Sequence, residues 1–335
     1  MVQPGMRSRR GLATMSALVI AGAIVAGCSS GESSSDTTSS DTTSSDTTAI
    51  ATTSPPPSSA VPTSTGTSAA GTAGTTAAPT STSVGVNADS ESFDAGAFDD
   101  NPAEGRNQWL PLIPGYQSVR EGGVNKGSRR LPHRRVFTVT DVTKVIDGVR
   151  TVLVLDQDFD GGELAEQAID YMAEDTQGNV WYLGSYTEAY EGGQFVNAND
   201  AWLAGVDGGV AGVVMMTDPT TDTPKYRQAT VPGEGSAEAE VVATGESVCV
   251  PFNCYENVLV IEEDGSELTS FAPGVGGIKL EPESGDPQET EELINLTQLS
   301  PQGLAELSAE AMALDEHARS EASDVFGDSS PAERL

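Results

Sequence analysis

From residue 135 onward, apolar and polar side chains alternate with period two. RVFTVTDVTKVI (135–146) is followed by Asp147-Gly148 and then VRTVLVLDQDF (149–159). Two β-branched runs around an Asp-Gly pair predict a hairpin, because both turn residues must take positive φ. The pattern then repeats. Turn residues at 160–162, 176–179, 191–193 and 207–209 separate ELAEQAIDYMAED, VWYLGSYTEAY, QFVNANDAWLAG and VAGVVMM. Later strands are expected in AEVVATGESVCV (239–250), ENVLVIEEDG (256–265) and LTSFAPGVGGIKL (268–280). Turn signals this regular predict a mainly β fold, an antiparallel meander curled into a barrel or half-barrel. Residues 163–175 are the ambiguous stretch, since Leu164, Ala168, Tyr171 and Met172 also fit one face of a helix.

The period changes after residue 300. Ser300-Pro301 is a helix start, with a capping hydroxyl followed by a proline whose missing N–H is no loss. Leu304, Leu307, Ala311 and Leu314 then share one face at helical spacing. An amphipathic helix over 300–322 is expected either to pack on the sheet or to cover an opening in it. Residues 283–299 read as an acidic linker before it, and 323–335 as a flexible tail.

The other end of the chain holds two segments of different character. Arg7, Arg9 and Arg10 precede an apolar run from Gly11 to Val25, shorter than the ~20 residues of a bilayer span. A basic start, a short apolar centre and small closing residues make 1–27 an export signal. Residues 28–92 are mostly Ser, Thr, Ala, Gly and Pro, with SSDTT three times in succession from Ser34 to Thr48. The chain has no aromatic residue before Phe93, so this segment cannot bury enough apolar surface to fold and is expected to be a disordered tether. A coil of ~60 residues spans ~40 Å on average. The β domain is then expected over 93–282.

The residues Val25-Ala26-Gly27 before Cys28 resemble the bacterial lipoprotein signal, an aliphatic residue and two small ones before a cysteine. The resemblance implies cleavage before Cys28 and a diacylglycerol on its sulfur, placing the protein on the extracytoplasmic face of the cell membrane. The body resembles a family of uncharacterised bacterial secreted or lipid-anchored β-sheet proteins. WLPLIPGY (109–116), DTQGNVWYLGSYTEAYEGG (175–193), WLAGVDGGVAGVVM (202–215), YRQATVPGEGSAEAEVV (226–242) and SFAPGVGGIKL (270–280) carry that resemblance, and it brings no catalytic residues.

Charge narrows the partners. The formal net charge is −33, and loss of the three signal arginines, with no acid beside them, takes it to −36. Such a surface repels nucleic acid and anionic lipid heads, so the expected membrane contact is the lipid on Cys28 alone.

Candidate chemistry is sparse. The only histidines are His133, in the basic cluster Arg129, Arg130, His133, Arg134 and Arg135, and His317 in the late helix. Two distant histidines do not suggest a histidine-rich zinc site or a Ser-His-Asp triad. Cys249 and Cys254, in CVPFNC, are expected to form a disulfide in an exported protein. DQDFDGG places Asp156, Asp158 and Asp160 like the start of a calcium loop, but Gln167 stands where the bidentate glutamate belongs, and a solvated strand face is the competing reading. Tyr182, Tyr186 and Tyr190 fall on one face of an ideal strand, as core or as a ledge for a ligand. No cofactor is expected. The leading expectation is a non-enzymatic envelope protein whose sheet binds a ligand or partner that the sequence does not identify. The alternatives are a structural scaffold and a carboxylate-based hydrolase, which needs an acid pair in a cleft.

Overall fold

The computed structural model describes residues 92–263, 265–284 and 288–335. The signal at 1–27, Cys28 and all but the last residue of the tether lie outside them. Among the described residues the chain order is β1 (Tyr116–Lys126), β2 (Arg129–Ile146), β3 (Val149–Asp160), β4 (Glu163–Glu174), β5 (Val180–Glu191), β6 (Gln194–Leu203) and β7 (Val210–Met215). Then come β8 (Tyr226–Val231), β9 (Gly235–Cys249), β10 (Cys254–Glu263), β11 (Glu267–Ala272), β12 (Gly276–Pro282) and β13 (Glu289–Gln298). Helices α1 (Pro301–Glu321) and α2 (Ser323–Phe326) and a short β14 (Glu333–Arg334) complete it.

The meander closes on itself. Neighbouring strands pair antiparallel in the order β1-β13-β12-β11-β10-β9-β8-β7-β5-β4-β3-β2, and β1 also pairs with β2, so twelve strands form a complete ring. Closure removes the exposed edges that an open sheet would present. β6 pairs with β5 and β14 with β2, both off the ring. The hairpin expected at Asp147-Gly148 is present with φ of 46° and 83°, the mirror-image turn that suits the twist of its strands. Residues 163–174 are strand, not helix: tertiary pairing to β3 and β5 overrides the local helical fit.

Two stretches depart from the sequence reading. The acidic linker expected at 283–299 contains β13, which seals the ring between β12 and β1. Its residues alternate: Glu289 and Glu291 are buried, while Thr290 and Glu292 are only partly so. A strand whose inward residues are glutamates reads as polar on both faces. Cations on neighbouring strands make it tolerable inside. The tail expected at 323–335 is also structured. Phe326 is fully buried against Tyr171 and Tyr186, and β14 pairs with β2.

α1 packs on the outside of the barrel wall and covers no opening. Its N-cap Ser300 accepts a hydrogen bond from Gly303 N at 3.2 Å. Its buried residues Ala311, Leu314 and Ala318 join the main core, which also contains Leu153, Leu155, Ile169 and Tyr171 of β3 and β4. A smaller cluster of Val250, Val258, Ala272, Ile278 and Leu293 forms where the β9–β10 hairpin meets β11, β12 and β13.

Candidate functional site

The barrel interior has an apolar end, a small cavity and a charged end. Residues 106–113 cross the first end. Asn107 Nδ2 donates to the carbonyls of Gly178 (2.8 Å), Met216 (3.2 Å) and Met215 (3.3 Å), and its backbone N–H donates to Glu174 Oε1 at 3.0 Å. On the far side, Gly274 N donates to Gln108 O at 2.7 Å. Gly178 lies between β4 and β5 and Gly274 between β11 and β12, half the ring away. One extended segment therefore bridges the mouth. Behind it lies a cavity of about 70 Å³, with Leu110, Pro111, Met172 and Phe271 among its apolar lining and Arg120, Arg135 and Glu263 among its charged lining. Pockets for organic ligands hold ~300–1,000 Å³, so the barrel is largely filled by its own side chains.

The charged end is built by strand register. Arg120 on β1 lies directly opposite Arg135 on β2. Two guanidiniums side by side require acids around them. Arg135 grips Asp156 through Nε, 2.9 and 3.0 Å from the two carboxylate oxygens, and through a further short contact. Arg120 Nε pairs with Glu291 Oε2 at 2.9 Å. Burial works to raise the pKa of Glu291, but Arg120, Arg135 and His133 hold it well below the usual carboxylate range. Deeper in the wall, Asp170 accepts hydrogen bonds from Tyr182 Oη and Ser185 Oγ, each at 2.9 Å. Burial, with the charge of Asp156 adding to it, raises Asp170 to about 7.

His133 completes this end. It is 3% exposed, and its Nδ1 lies 2.7 Å from Asp160 Oδ1, which also pairs with Lys126 Nζ at 2.9 Å. Its Nε2 faces three carboxylate oxygens, Asp158 Oδ1 at 3.5 Å, Glu289 Oε1 at 3.4 Å and Glu291 Oε1 at 3.5 Å. Burial disfavours the imidazolium, but the carboxylates of Asp158, Asp160, Glu291 and Glu289 outweigh it and push His133 up to about 12. Burial beside Glu291 raises Glu289 well above the ordinary glutamate value. Gly122 lies between His133 on β2 and Glu291 on β13. A Cβ there would fall 1.8 Å from Thr290 O, so a residue without a side chain lets β1 and β13 close over the cluster.

The residues singled out from sequence meet different fates. Asp156, Asp158 and Asp160 lie on the extended β3, not in a calcium loop. Asp156 is held by Arg135, Asp160 by His133 and Lys126, and Asp158 faces His133 Nε2. The tyrosine row is broken by a register shift on β5, where Tyr171 pairs with Gly184 but Met172 with Tyr182. Tyr182 consequently reaches interior Asp170, while Tyr186 contacts Phe326 of α2. Both are buried at 2% and 0% exposure, so neither forms a surface ledge. Tyr190 joins Tyr186 and His317 in donating to or meeting Glu188. Cys249 and Cys254 are disulfide-bonded across the β9–β10 turn, with Cα atoms 3.9 Å apart. Glu289 and Glu291, the central acids of the charged end, carried no signal in the sequence beyond their two-residue spacing.

No protein-family model matches the chain, and no curated protein matches it. Among solved structures it is similar to a Bacteroides fragilis protein that carries the name of an exported protein with a YmcC-like fold. That match has 16% identity and a TM-score of 0.33, covering 57% of this chain and 99% of the other. It is also similar to a Parabacteroides distasonis protein that carries the name of a lipoprotein, with 11% identity, a TM-score of 0.27 and the same shares covered.

Proposed function

We propose that this chain is an exported bacterial lipoprotein, cut before Cys28 and anchored by diacylglycerol on that residue. Its barrel serves as a non-catalytic binding module of the envelope. The observation that carries the reading is Val25-Ala26-Gly27-Cys28 after a basic start and a short apolar run. The barrel wall supports a body in water. Glu238 and Glu240 stand exposed on β9, where a membrane barrel carries an apolar band.

The interior gives the hydrolytic alternative little room. Glu289 and Glu291 form an acid pair whose pKa values are pushed apart, as a hydrolase requires. They are 6% and 0% exposed, and the nearby cavity of about 70 Å³ is too small for a sugar. Mass spectrometry of the native N-terminus tests the anchor. The expected species begins at Cys28 with diacylglycerol on sulfur, and Cys28→Ala accumulates uncut in the membrane fraction. A wild-type protein that begins before residue 28, or that is released with a bare thiol, overturns the reading.

A further inference from the structure

We infer that the charged end of the barrel binds one divalent transition-metal ion, held by His133 Nε2 and carboxylate oxygens of Asp158 and Glu291, with Glu289 beside them. The inference does not depend on lipid anchoring. The three donors, whose atoms lie within 4.8 Å of one another, come from β2, β3 and β13 and are all at least nine-tenths buried.

The first support is distance. Nε2 stands 3.4–3.5 Å from one oxygen of each of the three acids. That is too far for a good hydrogen bond to any of them, and Nε2 makes none. Donors held at ~2.0–2.2 Å around a tetrahedral zinc ion lie ~3.3–3.6 Å from one another. The imidazole therefore points at the centre of a group spaced for an ion, not at a single partner. Oxygens of Glu289 and Glu291 facing it are likewise buried without a hydrogen bond.

Orientation is the second support. The other ring nitrogen, Nδ1, is fixed on Asp160 at 2.7 Å. A carboxylate behind the distal nitrogen of a ligating histidine is the common device that sets its tautomer and aims its lone pair. Charge is the third. Asp156, Asp158, Asp160, Glu166, Glu289 and Glu291 gather here against Lys126, Arg120, Arg135 and the imidazolium of His133, whose Nε2 proton the ion would displace. Acids outnumber bases, and a dication reduces the excess. One imidazole with carboxylates suits zinc, manganese or iron(II) better than calcium, which takes six to eight oxygens.

The test uses full-length protein purified without a polyhistidine tag, stripped with chelator and dialysed against Zn²⁺. One bound zinc per chain by elemental analysis is expected, with Co²⁺ in its place giving the visible absorption bands of a low-symmetry nitrogen–oxygen site. Asp158→Asn, which keeps shape and removes an anionic donor, is expected to weaken Zn²⁺ affinity at least tenfold. His133→Gln is expected to abolish the Co²⁺ bands. His317→Asn, which removes the other histidine, is expected to leave both unchanged. Circular dichroism establishes that each variant is folded; should His133→Gln not fold, the Asp158→Asn affinity and the wild-type stoichiometry decide. Failure of the stripped wild type to take up stoichiometric Zn²⁺ or Co²⁺ overturns the inference. So does equal affinity in Asp158→Asn, transfer of the loss to His317→Asn, or displacement of zinc by equimolar Ca²⁺.

Discussion

Lys144 on β2 and Asp315 on α1 form an ion pair at 2.8 Å with both side chains buried, 171 residues apart in the chain. Asp315 Oδ1 also accepts a hydrogen bond from Tyr171 Oη at 2.7 Å, and Oδ2 one from Ala332 N at 3.1 Å. A single carboxylate thus ties the helix, the barrel wall and the C-terminal segment together. Removing one partner of such a pair leaves the other charge buried and uncompensated. Asp315→Ala is expected to destabilise the protein by about 3–5 kcal/mol. Urea unfolding measures it. A loss under 1 kcal/mol would mean that Lys144 finds water without displacing the helix.

Asp170 predicts how stability follows pH. Unfolded, an aspartate titrates near ~3.9. Folded, Asp170 keeps its proton up to about 7, facing Asp156 and Arg135 as well as Tyr182 and Ser185. Between these values the folded chain binds one proton more than the unfolded chain. Its contribution therefore makes stability fall as pH rises from ~4 to 7, by about 1.4 kcal/mol per unit at most, and level off above. Asp170→Asn is expected to remove this slope. Denaturation of both proteins across pH 4–7 is the measurement, and parallel curves refute the assignment.

At Gly122, backbone approach sets the requirement. Alanine would place its Cβ 1.8 Å from Thr290 O. Because that atom is backbone, the β1–β13 seam must open rather than a side chain swing away. Gly122→Ala is expected to cost more than ~3 kcal/mol, above the ordinary overpacking range. Faster amide exchange on β13 would accompany it; unchanged exchange there would place the strain elsewhere.

Asn107 holds the crossing segment. Besides the carbonyls it serves, its Oδ1 accepts from Trp109 N at 2.8 Å and Leu110 N at 3.0 Å. Asn107→Ala strands several buried backbone groups, each worth ~1–3 kcal/mol when unmet. The expected result is a loss of about 2–4 kcal/mol, with hydrogen exchange accelerated at residues 106–113 more than in β3 or β4. Uniform acceleration would show that the segment unfolds only with the whole barrel.

Most of the wall was legible in the sequence because alternation and turn chemistry are local. Asp147-Gly148 specifies its turn whatever surrounds it, and VRTVLVLDQDF has the period of a strand. The tyrosine row failed because Tyr182 and Tyr186 share a face only if β5 is regular, and the shift near Leu183 is set by its pairing with β4. The site was hardest to see. Its two glutamates lie in ETEELINLTQ, which local rules assign to a polar linker.

By itself, then, the order of residues determined the strand-rich body, the capped helix, the cysteine staple and the expectation of export. These rest on interactions between near neighbours in the chain, where backbone preference and side-chain period decide the outcome. Tertiary structure alone decided that the ring closes, that an acidic stretch becomes its last wall, and that His133 faces Glu289 and Glu291 across more than 150 residues of chain. Whether a buried carboxylate is tolerable depends on which charges the register sets beside it. No local pattern carries that information.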